Sequence, residues 1–499
     1  MRTKLFPLVL AVLAPLATSC FVSVDVGAPH PLAFHPPGSS FASALDTIET
    51  EELRADVRFL ASEQLGGRDT PSLGLEVAAR YIRSRLEHLG WRPGAREGYF
   101  HVYELVSVGL DPKGTGAAIE SGETSVELTA GVDYTFFPRA DGGHEVRGRV
   151  VFAGTLSEED ASGLDIEGAW ALARESADVG WRGRRRNAEE AGAVGVIVVP
   201  AARAAEEEEG EPAPSFHETL GTPLERTMFQ RDSPRPTYPF VYLERAAAER
   251  LFSLATSREP AVGEELGLSF VERRAYEIRE THELENVVGF WPGTDRADEA
   301  IIVSAHYDHV GTDAEGRIFH GADDNASGTS GLMALAEALV EYGPLRRSVA
   351  LIWVSGEEKG LLGSAAWAKE PWLPGGARAV ANLNIDMIGR NAPDALGMTP
   401  SLDHEAHNLL SEVAQRAAPA EGFGELADMD AYWSRSDHAM FSEHLGIPVA
   451  FLFSDVHEDY HQPTDTADKL DYDKIRRVTR LVMRMLVELD REELEAEAR

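Results

Sequence analysis

From Glu285 onward, short apolar runs of strand length alternate with amphipathic helices, and this pattern most restricts how the chain can fold. The runs are Ile301–Ser304, Val349–Val354, Val380–Ile385 and Val449–Phe453. Between the first two, Leu332, Leu335, Ala336 and Leu339 fall at i, i+3, i+4 and i+7, one face of a helix. Near the end, Ile475, Val478, Leu481, Val482, Met485 and Leu489 repeat that spacing. Strands that are apolar throughout must be buried on both faces, so the pattern predicts an α/β fold. Its sheet is expected to be mixed but mostly parallel, covered by helices on both sides.

The chain has 499 residues, more than one core usually organises. Helical spacing begins at Glu51 with Leu53, Val57 and Leu60. A second helix carries Ala78, Tyr81, Ile82, Leu86 and Leu89, with Gly90 as its C-cap. Residues 131–280 differ, with short β-like runs (149–153, 194–199, 240–243) set among glycine-rich and acidic loops such as Glu206–Glu209. The expected layout is residues 46–130 as the first part of the main domain, 131–280 as a β-rich insert, and 281–499 as the α/β remainder of that domain. Residues 21–45 read as a tether.

The first 20 residues have the layout of an export signal: Arg2 and Lys4, an apolar run from Leu5 to Leu16, then small residues before Cys20. Cys20 is the only cysteine, and LATSC resembles a lipoprotein cleavage site. The expectation is an exported protein, periplasmic or envelope-bound through a lipid on Cys20, or else secreted. A net charge of −36 disfavours a nucleic-acid partner. The sequence carries no signature of a particular oligomeric state.

Five polar clusters follow the strands or open the helices: SAHYDH (304–309), GADDNASG (321–328), SGEEKG (355–360), NIDMIG (384–389) and DYHQPTDT (459–466). Ligands of open α/β sheets bind beyond the carboxyl ends of the strands, where these clusters stand. Histidine and carboxylate are the usual nitrogen and oxygen donors to zinc. Two histidines and three carboxylates exceed one tetrahedral ion but suit two ions sharing a carboxylate. The neighbouring acids Glu357 and Glu358, after an apolar strand, call for a compensating cation.

These clusters, with LRADVRFLASEQLGGR upstream and ENVVGFWPG just before them, resemble the co-catalytic zinc aminopeptidase family, peptidase family M28. The family includes bacterial leucyl aminopeptidase and aminopeptidase Y; glutamate carboxypeptidase, glutaminyl cyclase and the transferrin receptor are relatives. VVFAGTLSEED, IEGAWALA and EEAGAVGVIVV resemble the protease-associated (PA) domain often inserted in such enzymes. The resemblance implies two Zn2+ per chain, with His306 and Asp386 on one, Glu358 and His461 on the other, and Asp324 bridging. It implies Glu357 as general base, Asp308 as the carboxylate that orients His306, and a cis peptide after Asp324. Tyr460 matches a tyrosine that polarises the substrate carbonyl, while Tyr432 stands one residue from the place other relatives use. The expected substrates are peptides with a free N-terminus.

Other readings compete. His457-Glu458-Asp459-Tyr460-His461 fits the one-zinc H-E-x-x-H signature, but that signature needs a helix. The run follows a strand, and Pro463 disfavours helix just before it. Ser436-Asp437-His438 reads either as a helix N-cap or as part of the pocket. His404 and His407 read as surface histidines of a helical stretch. Phe451 and Phe453 could line a pocket or belong to the core. A metal-free binding protein, a glutaminyl cyclase and a carboxypeptidase for acidic C-termini are the alternatives on the same fold.

Overall fold

The computed structural model describes residues 40–138, 143–201 and 238–494, with 216, 221, 223–225 and 228–229 between the last two. Cys20, residues 21–39 of the expected tether and the acidic run 206–209 lie outside these residues; the end of that tether is instead helix Phe41–Asp46, whose Ala44 and Leu45 are buried in the core.

The main sheet is built around four parallel strands in the spatial order Arg347–Val354, Arg296–His306, Arg378–Asp386 and Val449–Phe453. Tyr276–Trp291 and then Phe100–Leu110 extend it antiparallel on one side, and Gly397–Thr399 on the other. Side chains alternate between the two faces of a strand. Ile301, Val303 and Ala305 enter one core with helices Thr50–Leu60, Leu73–Leu89, Gly328–Tyr342 and Tyr472–Leu489. Ala300 and Ile302 enter a second core, against helices Leu362–Lys369 and His438–Leu445. Gly90 caps its helix with a positive φ of 78°, as its position in sequence suggested. The apolar stripe from Ile475 to Leu489 is buried along its length. No helix among the described residues is long and apolar enough to cross a membrane.

A second, eight-stranded sheet carries the insert, with a parallel centre formed by His144–Phe152, Trp170–Arg174, Gly195–Val199 and Phe240–Leu243. Its limits differ from the expected 131 and 280. Gly116–Ser121 and Thr124–Leu128 already belong to it, because the first pairs antiparallel with Glu265–Arg274. The chain leaves the main sheet after Leu110 and rejoins it at Tyr276, its cross-strand neighbour; in between, among the described residues, only the short strand Met228–Phe229 returns, pairing with Val108 and Ser107 at the sheet edge. His404 and His407 stand in an irregular loop rather than in a helix; the His404 ring packs at a tilt against Trp433, with centres 4.9 Å apart.

Candidate metal centre

The register of the parallel strands brings the site together. Ser304 pairs with Asn384, which sets His306 and Asp386 side by side where their strands end. His306 Nε2 lies 3.2 Å from Asp386 Oδ1 and 3.3 Å from Asp324 Oδ1. Asp324 stands in the wide turn Ala322–Ser327 that opens helix Gly328–Tyr342, and its peptide bond to Asn325 is cis. The Asn325 side chain ties this turn to the neighbouring strand, donating to the Ile385 carbonyl at 3.1 Å and accepting from Gly328 N at 2.9 Å.

The other carboxylate oxygen of Asp324 faces the second group. His461 Nε2 is 3.1 Å from Asp324 Oδ2 and 3.1 Å from Glu358 Oε2. All five expected ligands therefore converge: His306, Asp324 and Asp386 offer mutually close donor atoms, as do Asp324, Glu358 and His461. The segment 457–461 is a turn, so the H-E-x-x-H reading fails. His457 instead sends Nε2 toward Asp323 Oδ2 at 3.3 Å. Asp465, from the same cluster as His461, accepts the backbone N–H of Asp323 and of Asp324 at 3.0 and 3.2 Å. Asp459 anchors the loop through Arg390 at 2.8 Å and Lys469 at 2.7 Å. Met387 and His461 take left-handed φ of 49° and 53°, a conformation costly for bulky side chains that tight surroundings must impose.

Buried acids of this density need cations. Burial raises Asp386 above the ordinary carboxylate range, and it raises Glu357 well above it, aided by the charges of Glu358, Asp437 and Asp386. Burial also acts on Asp324, but the charge of His309 and the contacts with His306 and His461 outweigh it and hold Asp324 well below that range. Burial works against a charged His461, yet its carboxylate partners lift it to about 10. His461 Nε2, although near two carboxylates, has hydrogen-bond geometry to neither; it points between them. Lone pairs and carboxylate oxygens aimed at common points fit divalent cations better than they fit protons.

Asp308 is buried, but the atom within hydrogen-bond distance of His306 Nδ1 is its backbone carbonyl, at 3.2 Å; the nearer carboxylate oxygen is 3.6 Å away. That carboxylate accepts from Thr70 Oγ1 at 2.9 Å and from Glu357 N at 3.2 Å. It thus holds the backbone of the expected base.

Asp324, Glu357 and Asp386 line one pocket with Tyr432, Tyr460 and Arg435. Phe451 and Phe453 line it too, while Ala450 and Leu452 between them point into the main core. The two readings of this strand hold for its two faces. The Tyr432 hydroxyl donates to Asp455 Oδ1 at 3.0 Å. Tyr460 stacks on His461 at 3.9 Å between ring centres, and its hydroxyl has no hydrogen-bond partner among the described residues.

Two contributors, Arg68 and His309, were not foreseen, and a third, Ser436, takes the second of its two readings. Ser436 does not cap its helix; it donates to Asp386 Oδ2 at 2.9 Å and ends a buried polar chain through Asn384, Ser304 and Asn382. Its place in the SDH run was the only signal. Arg68, at the end of LGGR, is wholly buried and donates to the carbonyls of Tyr307, His320, Gly321 and Leu60. His309 stands beside Glu358 and His461. Groups that orient metal-binding side chains typically change metal affinity about 10–100-fold when removed. Ser436→Ala should therefore weaken binding at the Asp386 side by about that factor in chelator competition. Unchanged affinity would show that the hydroxyl does not fix Asp386.

Fold and site together give an α/β chain with two adjoining groups of side chains that could each hold a metal ion. The model of Peptidase family M28 matches residues 286–486, and that of the PA domain matches residues 146–251. The chain carries a peptidase family M28 domain into which a PA domain is inserted. Among curated relatives, a probable leucine aminopeptidase of Arthroderma otae is 29% identical over 203 residues, 39% of this chain and 55% of that protein. Aminopeptidase YwaD of Bacillus subtilis is 28% identical over 216 residues, 42% of this chain and 45% of that protein. The chain thus spans about half the length of the curated relatives it matches. The solved aminopeptidase from Aneurinibacillus sp. strain AM-1 shares the fold at a TM-score of 0.53 and 22% identity, covering 92% of this chain and 98% of that one.

Proposed function

We propose that this chain is a dinuclear zinc aminopeptidase that releases N-terminal residues from peptides. The observation that carries the reading is the convergence of His306, Asp386, Glu358 and His461 on the two oxygens of Asp324, beside a pocket that also holds Glu357. His306 and Asp386 would hold one zinc, Glu358 and His461 the other, with Asp324 shared. Zinc in such sites acidifies a bound water and polarises a carbonyl.

The chain's own groups supply the rest. Glu357 is no donor in either group and lines the pocket, so its carboxylate is free to take a proton from the attacking water and pass it to the leaving amine. Asp308 fixes the backbone N–H of Glu357 and the turn that carries it. The Tyr460 hydroxyl, free of other partners, is better placed than Tyr432 to donate to the substrate carbonyl oxygen as charge develops there. Phe451, Phe453 and Met387 offer an apolar wall to the side chain of the residue released. The basic, apolar and cysteine-ended start of the chain supports export, with a lipid on Cys20 as its anchor.

The test is a comparison of leucine anilide with its N-acetylated form and with an N-blocked dipeptide ending in glutamate. The free-amine substrate should be cleaved, the activity should vanish on chelation, and about two equivalents of zinc should restore it. Cleavage of the N-blocked acidic dipeptide instead would make the enzyme a carboxypeptidase, with Arg435 its natural anchor in the pocket.

A further inference from the structure

The two metal groups share Asp324 but are not equal. We propose that His309 is a fourth protein donor to the group of Asp324, Glu358 and His461, so that side chains close this site. The His306 site then keeps an open position. The inference rests on the dinuclear reading above.

Distances carry it first. His306 Nε2 stands 3.2 and 3.3 Å from the oxygens of Asp386 and Asp324. His309 Nδ1 stands 2.9 Å from Glu358 Oε1 and 3.6 Å from Asp324 Oδ2. Donors around a tetrahedral zinc with bonds of about 2.0–2.2 Å lie roughly 3.3–3.6 Å apart. His309 matches that span toward Asp324, and at 2.9 Å from Glu358 Oε1 it stands closer still, at hydrogen-bond distance. The donor atoms of His309, Asp324, Glu358 and His461 all lie within 4.8 Å of one another.

The ring is also built into place. His309 is fully buried, and its backbone N–H donates to the carbonyl of Arg68 at 3.1 Å. It meets the His461 ring edge-on, with centres 5.6 Å apart. Gly321, at a φ of 60°, lies flat against it; a Cβ there would come within 2.5 Å of the imidazole Cγ. This contact blocks the ring from swinging away from Glu358 on that side.

The number of donors separates the two groups: His309, Asp324, Glu358 and His461 on one side, and His306, Asp324 and Asp386 on the other, of which Asp324 and Asp386 border the pocket. Zinc with four protein ligands is typical of sites that hold structure together, and zinc with three protein ligands leaves room for water or substrate. By that count the four-donor site is the retaining one, and the three-donor site, whose Asp386 borders the pocket, keeps the exchanging position.

Zinc binding tests this without assay of activity. Wild type, His309→Ala and His309→Gln are titrated with zinc against a chelator. Each is then examined by X-ray absorption at one equivalent, with circular dichroism to verify folding. Wild type should fill one site first, and that zinc should show two imidazole ligands. Loss of His309 should weaken the first site by more than about 100-fold, beyond the range of groups that merely orient a ligand. Its first zinc should then show a single imidazole. If the first zinc of wild type carries one imidazole, or if His309→Gln binds as wild type does, then His309 only donates a hydrogen bond to Glu358 and the proposal fails. Wild type that binds fewer than two zincs would instead overturn the dinuclear reading itself.

Discussion

Glu357→Gln should keep both zincs and lose about 10²–10⁴-fold in kcat, the span over which a positioned general acid–base acts. Glutamine fills the same volume and leaves the backbone untouched. The N–H of residue 357 still donates to Asp308, and its carbonyl still accepts from Gly360 and Leu361 at 2.8 and 2.9 Å. What disappears is the ability to take a proton, which burial and the neighbouring acids have tuned upward. KM should change little, since Glu357 is assigned to the reaction rather than to holding the substrate. Metal analysis beside steady-state kinetics separates the outcomes. Activity within a few-fold of wild type refutes the assignment, and a variant that loses zinc places Glu357 among the ligands.

The second large effect is expected on stability. Arg68→Met should lower the melting temperature of the chelated protein by roughly 8–16 °C, taking a cost of about 4 kcal/mol and about 2–4 °C per kcal/mol for a domain of this size. Arg68 is buried at a left-handed φ of 49°, and four carbonyls accept its protons. Two of these carbonyls belong to Tyr307 and Gly321, which flank the metal-binding loops. Methionine fills the space but leaves those acceptors buried and unpaired, each costing about 1–3 kcal/mol. Burial pulls the guanidinium down to about 10, while Asp324, Asp308, Asp465 and Glu358 pull the other way. The arginine thus stays charged at neutral pH and offsets acids on the loops it clasps. A shift below about 3 °C in thermal unfolding would mean that solvent replaces these bonds.

Much of this site could be read from residue order, because strand ends announce themselves. An apolar run that stops at a histidine or an aspartate places that side chain at a sheet's carboxyl edge, and four such ends lie side by side. His309 was hidden in SAHYDH, where nothing local separates a second imidazole from the first; only the fold brings it to Glu358. Ser436 was ambiguous because a serine before a helix ordinarily caps it, and here the neighbouring Asp386 claims the hydroxyl. Three of the four carbonyls that Arg68 binds lie more than two hundred residues along the chain. The limits of the insert were misjudged for a similar reason. Gly116–Ser121 looks like any strand, and its partner Glu265–Arg274 lies across the whole insert.

The two strands that carry the insert also grip the loop of the acids. Tyr103, on the outgoing strand, donates to the Ser355 carbonyl at 3.0 Å, and Asn286, on the returning one, accepts from Ser355 N at 3.0 Å. Because Leu110 faces Tyr276, a tight reverse turn could splice the ribbon shut and leave both grips untouched. The α/β core could thus be engineered as a minimal scaffold, provided the cut falls at that rung and not some twenty residues further into the insert.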